Sequence, residues 1–161
     1  MTHILHTAPL TATAFAPYGD VLAAEDAPDK LINQGLCGRH HDLAKLDFGD
    51  GRAGISLFDA QERALPFTLD MMERHPEGSQ AFVPMQRNPF LVVVAPDQNG
   101  APGTPLAFLA QPGQGVNLHR NVWHGVLCPL NGPGLFAVID RIGDGTNLEE
   151  HWFETPWIIE R

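Results

Sequence analysis

The chain has 161 residues and a mass of 17.6 kDa, with 43% apolar residues, 18% charged residues and a formal net charge of −9. That make-up is globular, and the length suits a single domain over residues 1–161 with one apolar core. The acidic balance argues against sequence-independent binding to a phosphate backbone, so no nucleic-acid partner is expected, although cations gathered in a cleft can still hold a small anion.

At the N-terminus, Met1-Thr-His-Ile-Leu-His6 lacks a cationic leader region and a long apolar one, and nowhere do about 18 apolar residues run together. A cytoplasmic protein with no membrane partner is expected. Phe15-Ala-Pro-Tyr18-Gly-Asp20 predicts a turn entering a strand, with its aromatics buried. In Arg39-His40-His41-Asp42, the guanidinium fork of Arg39 suits a carboxylate and His41 stands beside it. The same four residues also read as a solvated loop. Cys37 and Cys128 stand alone, so reduced thiols are expected, Cys128 as a buried group and not a nucleophile.

Sixteen glycines and fourteen prolines, scattered along the chain, are hostile to long helices. Only Asp42–Leu46 and Leu69–Arg74 carry a helical pattern, and both are brief. Strands are predicted at Ala53–Phe58, Gln80–Val83, Phe90–Ala95, Leu106–Leu109, Val122–Cys128 and Leu135–Ile139. Asn99-Gly100 marks a turn that makes Phe90–Ala95 and Pro105–Ala110 antiparallel neighbours. Trp152 and Trp157 are assigned to the core or an interface. The fold class expected from this spacing is mainly β, a sandwich or closed barrel with a few short helices. A closed barrel has a concave, partly dry interior, so function is sought in inward-facing polar residues.

Two clusters stand out. Glu73-Arg74-His75-Pro76-Glu77-Gly78-Ser79-Gln80 is similar to the first cupin signature, in which histidines at alternate positions and a later Glu bind a metal. Here Glu77 stands at the second His and Gln80 lies near the Glu position, so His75, Glu77 and Gln80, with His124, form a candidate set for a divalent ion. Glu73, Arg74 and Glu77 read instead as an exposed ion-pair cluster at the end of the Leu69–Arg74 helix, and Glu73 is assigned to the surface. In His119-Arg120-Asn121-Val-Trp-His124 the spacing overlays the second cupin signature, Pro-x-Gly-x-x-His, with His119 at the proline and Asn121 at the glycine. Asn tolerates the left-handed backbone that the glycine would supply. Period 2 then puts His124, Val126 and Cys128 on one face, a histidine beside an apolar wall. Either histidine alone reads equally as a core residue satisfied by a backbone partner.

The chain as a whole resembles the bacterial ureidoglycolate lyase family of the cupin-like superfamily. The resemblance is carried by Phe15-Ala-Pro-Tyr-Gly-Asp-Val21, Ile32-Asn-Gln-Gly35, His41-Asp-Leu-Ala44, Met72-Glu-Arg-His-Pro76, Gly78-Ser-Gln-Ala-Phe82, Phe90–Ala95, His119-Arg120, Trp123-His124 and Phe136–Arg141. It departs from that pattern at His40, Asn121 and Gly125. The resemblance implies a mainly β fold, a cupin-like β-barrel or double-stranded β-helix of the jelly-roll type with a few short helices, together with cleavage of ureidoglycolate into glyoxylate and urea in allantoin use, a homodimer, and a divalent cofactor such as Ni²⁺. The chemistry calls for imidazole acid–base groups and a cation for the carboxylate. His75, His124, His119 and Gln80 are the catalytic candidates, and Arg39, His41, Arg120 and Ser79 the substrate-binding ones. Two other readings stay open: a ureidoglycolate amidohydrolase releasing ammonia, and a non-catalytic module binding a small acid or sugar.

Overall fold

A computed structural model describes residues Met1–Arg161. One short helix, α1 (Ala12–Phe15), stands among sixteen strands. In chain order these are β1 (His3–Pro9), β2 (Gly19–Leu22), β3 (Lys30–Ile32), β4 (Cys37–Arg39), β5 (Arg52–Ala60), β6 (Phe67–Arg74), β7 (Gln80–Pro84) and β8 (Phe90–Ala95). There follow β9 (Asp97–Gln98), β10 (Ala101–Pro102), β11 (Leu106–Ala110), β12 (Gly115–Leu118), β13 (Trp123–His124), β14 (Cys128–Pro129), β15 (Gly134–Ile142) and β16 (Glu149–Glu160).

Two sheets do the structural work. One runs β11-β1-β16-β6-β13-β8-β14 and closes on itself because β11 also pairs with β8; the other runs β2-β12-β7-β15-β5. Closure removes open edges from the first sheet. The expected mainly β, cupin-like barrel is what the chain forms, and β8 explains how it is packed. Phe90, Val92 and Val94 point into a core shared with Phe82, Val116, Leu118, Phe136 and Val138 of the second sheet. Leu91, Val93 and Ala95 point the other way, into a second core with Leu69, Met72, Trp123 and Ile159. A strand buried on both faces must be apolar at every position, which is why Phe90–Ala95 is an unbroken hydrophobic run.

The six predicted strands lie within or overlap observed ones, and Asn99 and Gly100 adopt positive φ in the turn between β8 and β11. Phe15 is buried at the end of α1, and β2 follows, as expected of that segment. The two helices expected at Leu69–Arg74 and Asp42–Leu46 are absent. Leu, Met and Glu favour helix locally, but residues 67–74 gain ladder bonds to β16 and β13, and tertiary pairing overrides the propensity. Residues 42–46 form no regular element; Asp42 has φ 50°, and the Lys45 backbone N–H donates to Asp20 Oδ2 at 2.9 Å. The Val122–Cys128 segment is not one strand but two, broken at Gly125, whose added Cβ would meet Leu69 and Val93 at 3.2 and 3.3 Å. The break defeats the period-2 expectation: His124 lies opposite Val94 of the first core, whereas Cys128 lies opposite Leu91 and packs in the second. Trp157 packs against the second core, whereas Trp152 is exposed.

Candidate functional site

The two sheets face each other across a cavity of about 100 Å³, lined by Glu73, Gln80 and His124 among apolar side chains such as Phe58, Phe82 and Leu118. Against the roughly 300–1,000 Å³ of drug-sized sites, this suits a molecule of few atoms. Its polar residues are delivered by register. His124 of β13 lies directly opposite Glu73 of β6 and Val94 of β8, so its ring shares their side of the sheet. His75 follows Glu73 by two residues and falls on the same side. From the facing sheet, Gln80 of β7 lies directly opposite Asp140 of β15.

The result is a cluster. One ligand atom from each of Glu73, His75 and His124 lies within 4.8 Å of the others, and the two imidazole centroids are 5.1 Å apart. Each ring is fixed from behind by a carbonyl: His75 Nδ1 donates to Asn147 O at 2.8 Å and His124 Nδ1 to Gly125 O at 3.0 Å. A carbonyl only accepts, so Nδ1 carries the proton and Nε2 of the neutral ring keeps its lone pair. Both Nε2 atoms are buried and have no protein partner. Burial, helped by repulsion from His75, lowers the His124 pKa from 6.5 to about 4, so the ring is neutral at physiological pH. Burial raises the Glu73 carboxyl; His75 opposes the rise and Glu150 adds to it. Two ring nitrogens and a carboxylate, with second shells in place, make a set that fits a divalent cation and leaves positions open.

Glu73 is the correction this geometry forces. As a helix-end residue it belonged to the surface; on a strand it is half-buried and lines the cavity. The signal was in the sequence as Glu73-x-His75, the alternate-residue spacing two places earlier than His75-x-Glu77. Glu77 turns elsewhere: its backbone N–H donates to Asn147 Oδ1 at 2.7 Å and its carboxylate faces Arg120 at 3.6 Å.

Of the remaining candidates, Gln80 alone lines the cavity. Gln80 is 6% exposed and its Nε2 donates to Asp140 Oδ2 at 3.2 Å, leaving Oε1 buried without a partner. Ser79, also buried, is tied to Asp47: its hydroxyl donates to Asp47 O at 3.2 Å and accepts from Asp47 N at 2.8 Å. Arg120 donates from Nε to Pro76 O at 2.6 Å and faces Asp47 at 3.8 Å. His119 Nε2 lies 3.0 Å from Asp20 Oδ2. Burial would raise the Asp20 carboxyl, but hydrogen bonds from Asn117, Lys45 and His119 outweigh it and lower the pKa. Arg39 is exposed on the β3–β4 ribbon, which pairs with no other strand, and His41, exposed just beyond it, is held by its backbone N–H to Asp29 Oδ2 at 2.8 Å. Asn147 was not legible as a site neighbour, because nothing near it in sequence carries a motif, and Asp140, within the Phe136–Arg141 stretch, meets Gln80 only through the pairing of β15 with β7.

A cupin-like barrel that gathers two partnerless imidazole nitrogens and a half-buried carboxylate at a small cavity is the architecture of an enzyme acting on a small molecule. The comparisons specify which: the chain belongs to the ureidoglycolate lyase family, whose model matches residues 2–160. A ureidoglycolate lyase of Rhodobacter capsulatus is 61% identical over 153 residues, covering 94% of this chain and 95% of the relative. Ureidoglycolate lyase 2 of Rhizobium meliloti is 53% identical, with 94% of each chain covered, and the Chelativorans enzyme of the same name is 52% identical, covering 94% and 93%. The chain is thus similar to lyases over nearly its full length, and no helix in it is long and apolar enough to cross a membrane.

Proposed function

We propose that this protein cleaves (S)-ureidoglycolate into glyoxylate and urea, within allantoin and purine breakdown. The observation that carries the reading is the pair of buried, partnerless Nε2 atoms of His75 and His124 gathered with the Glu73 carboxylate. The names of the relatives support the substrate.

Ureidoglycolate carries a carboxylate, a hydroxyl and a ureido nitrogen on one carbon. Its cleavage consumes no water: the hydroxyl loses its proton as the carbonyl forms, the carbon–nitrogen bond breaks, and the departing nitrogen takes the electron pair and a proton. The site must therefore move one proton from oxygen to nitrogen and hold a carboxylate. The free Nε2 atoms of His75 and His124 are the groups available to take the hydroxyl proton, a role worth on the order of 10²–10⁴ in rate, or to hold a metal in its place. The imidazole that takes that proton returns it to the departing nitrogen, so the transfer balances without a second acid.

Glu73, His75 and His124 are also the residues that would hold a divalent ion, with Ni²⁺ the ion we favour. A cation held there would supply Lewis acidity that makes the substrate hydroxyl easier to deprotonate. Gln80 orients the ureido group, and His119, steadied by Asp20, flanks it. Arg120, only loosely paired with Asp47 and Glu77, holds the carboxylate. Ser79 fixes the Asp47 segment beneath Arg120, while Arg39 and His41 supply an outer rim. The reading includes one domain over the whole chain, a cytoplasmic location and a homodimer. Supporting the last, β5 ends the second sheet with Ile55 and Leu57 exposed.

Incubation with racemic ureidoglycolate, with and without chelator, tests the proposal. Equal amounts of urea and glyoxylate are expected, with loss on chelation restored by Ni²⁺. Ammonia in place of urea would make the protein an amidohydrolase. Ligand-induced stabilisation without product would make it a binding module.

A further inference from the structure

We propose that Asp140 is a positioning residue that clamps the Gln80 side-chain amide so that its carbonyl oxygen faces the cavity and reads an N–H of the bound ureido group. The inference rests on the proposed substrate for its chemistry, and on the cavity for its geometry. Gln80 and Asp140 are direct cross-strand partners, and Phe82 and Val138 continue the same two faces into the core between the sheets. Both side chains therefore point at the interior. The Gln80 amide turns its NH2 toward Asp140, Nε2 donating to Oδ2 at 3.2 Å. That leaves Oε1 directed away from Asp140, buried and without a protein partner, on a residue that lines the cavity.

The consequence concerns the cavity as a whole. Gln80 Oε1 and the Nε2 atom of His124 are both buried on residues that line the cavity, and in this arrangement both accept hydrogen bonds. A site lined by acceptors suits a ligand rich in donors. A ureido group ends in NH2 beside a second N–H, and its terminal nitrogen is the part that a methyl group imitates in size but not in hydrogen bonding. Sites built to bond an N–H reject analogues that lack it, because their own buried polar atom is then left unpaired.

Calorimetric titration of two unreactive acids, N-carbamoylglycine and N-acetylglycine, tests this without turnover. They differ by NH2 against CH3. The wild-type protein is expected to bind the carbamoyl compound about tenfold more tightly, the worth of one neutral hydrogen bond. Gln80→Met, which keeps volume and removes the acceptor, is expected to bring the ratio near one. Asp140→Leu is expected to do likewise by freeing the amide, while Asp140→Asn, whose own oxygen can accept from Gln80, restores the preference. A merely structural role for Asp140 would weaken both ligands alike. A wild-type ratio near one, or a ratio unchanged in Gln80→Met, overturns the inference even if urea is released. If the ratio behaves as stated but no urea forms from ureidoglycolate, the proposed reaction fails and the amide clamp stands.

Discussion

His124 ties the stability of the protein to pH in a way that can be worked from its surroundings. In the unfolded chain its imidazole titrates near the ordinary 6.5; in the folded protein burial, with repulsion from His75, holds it at about 4. The unfolded state therefore binds a proton that the folded state refuses between those two values. Folding stability from this residue is fully present above pH 6.5, declines as the pH falls, and is exhausted near pH 4. At 1.36 kcal/mol per unit, the interval corresponds to about 3 kcal/mol, a large share of the 5–15 kcal/mol typical of a domain. Denaturant unfolding of chelator-treated protein, at half-unit steps from pH 8 to 4, should give stabilities that fall faster for the wild type than for His124→Gln. The difference between the two curves isolates this ring from the other titrating groups. Parallel curves through that interval would show that His124 is not held neutral in the folded state, and the argument that both Nε2 atoms are free acceptors would lose one of its two members.

Other consequences are simpler to read. His75→Ala and His124→Ala should each cost at least about 10²-fold in turnover while leaving the β circular-dichroism signature intact; near-normal rates in both would remove the cluster from the site. Glu73→Gln should weaken Ni²⁺ binding in a titration by more than about tenfold, whereas Glu77→Gln should leave it unchanged, and the opposite order would reinstate the His75-x-Glu77 set. Asn147→Ala cuts the tether from Asn147 Oδ1 to the Glu77 N–H that holds the His75 acceptor in place, so turnover should drop about 10- to 100-fold with little change in melting temperature. Cys128, whose thiol burial pushes up to about 12, should resist thiol reagents in the native protein at pH 8, while exposed Cys37 reacts; labelling of both at equal rates would contradict the packing.

Strands whose apolar pattern is local and regular were readable at once. Phe90–Ala95 announces a strand buried on both faces, and residues around 53–58 and 135–139 lie in β5 and β15, which pair with each other over nine positions. Residues 67–74 were misread because their composition favours helix and their partners, β13 and β16, lie about 50 and 80 positions further on. Strand β16 went unpredicted: its register shifts between Trp152 and Trp157, so no single alternation runs through it. Reading residues 67–74 wrongly then displaced one site residue, because a helix end would put Glu73 in water and a strand puts it beside His75.

By itself the sequence determined the class of fold, through punctuation by glycine and proline and through short β-branched runs, and it singled out the two histidines that the structure brings together. It did so because those signals are local. Only the tertiary structure decided which groups meet. Glu73 joins His75 and His124 because β6 and β13 happen to be neighbours, the imidazole tautomers are set by carbonyls of Gly125 and Asn147, and the Gln80 amide is oriented by Asp140, 60 residues away. Register between strands distant in sequence is settled by packing and hydrogen bonding across the whole sheet, and no local pattern contains it.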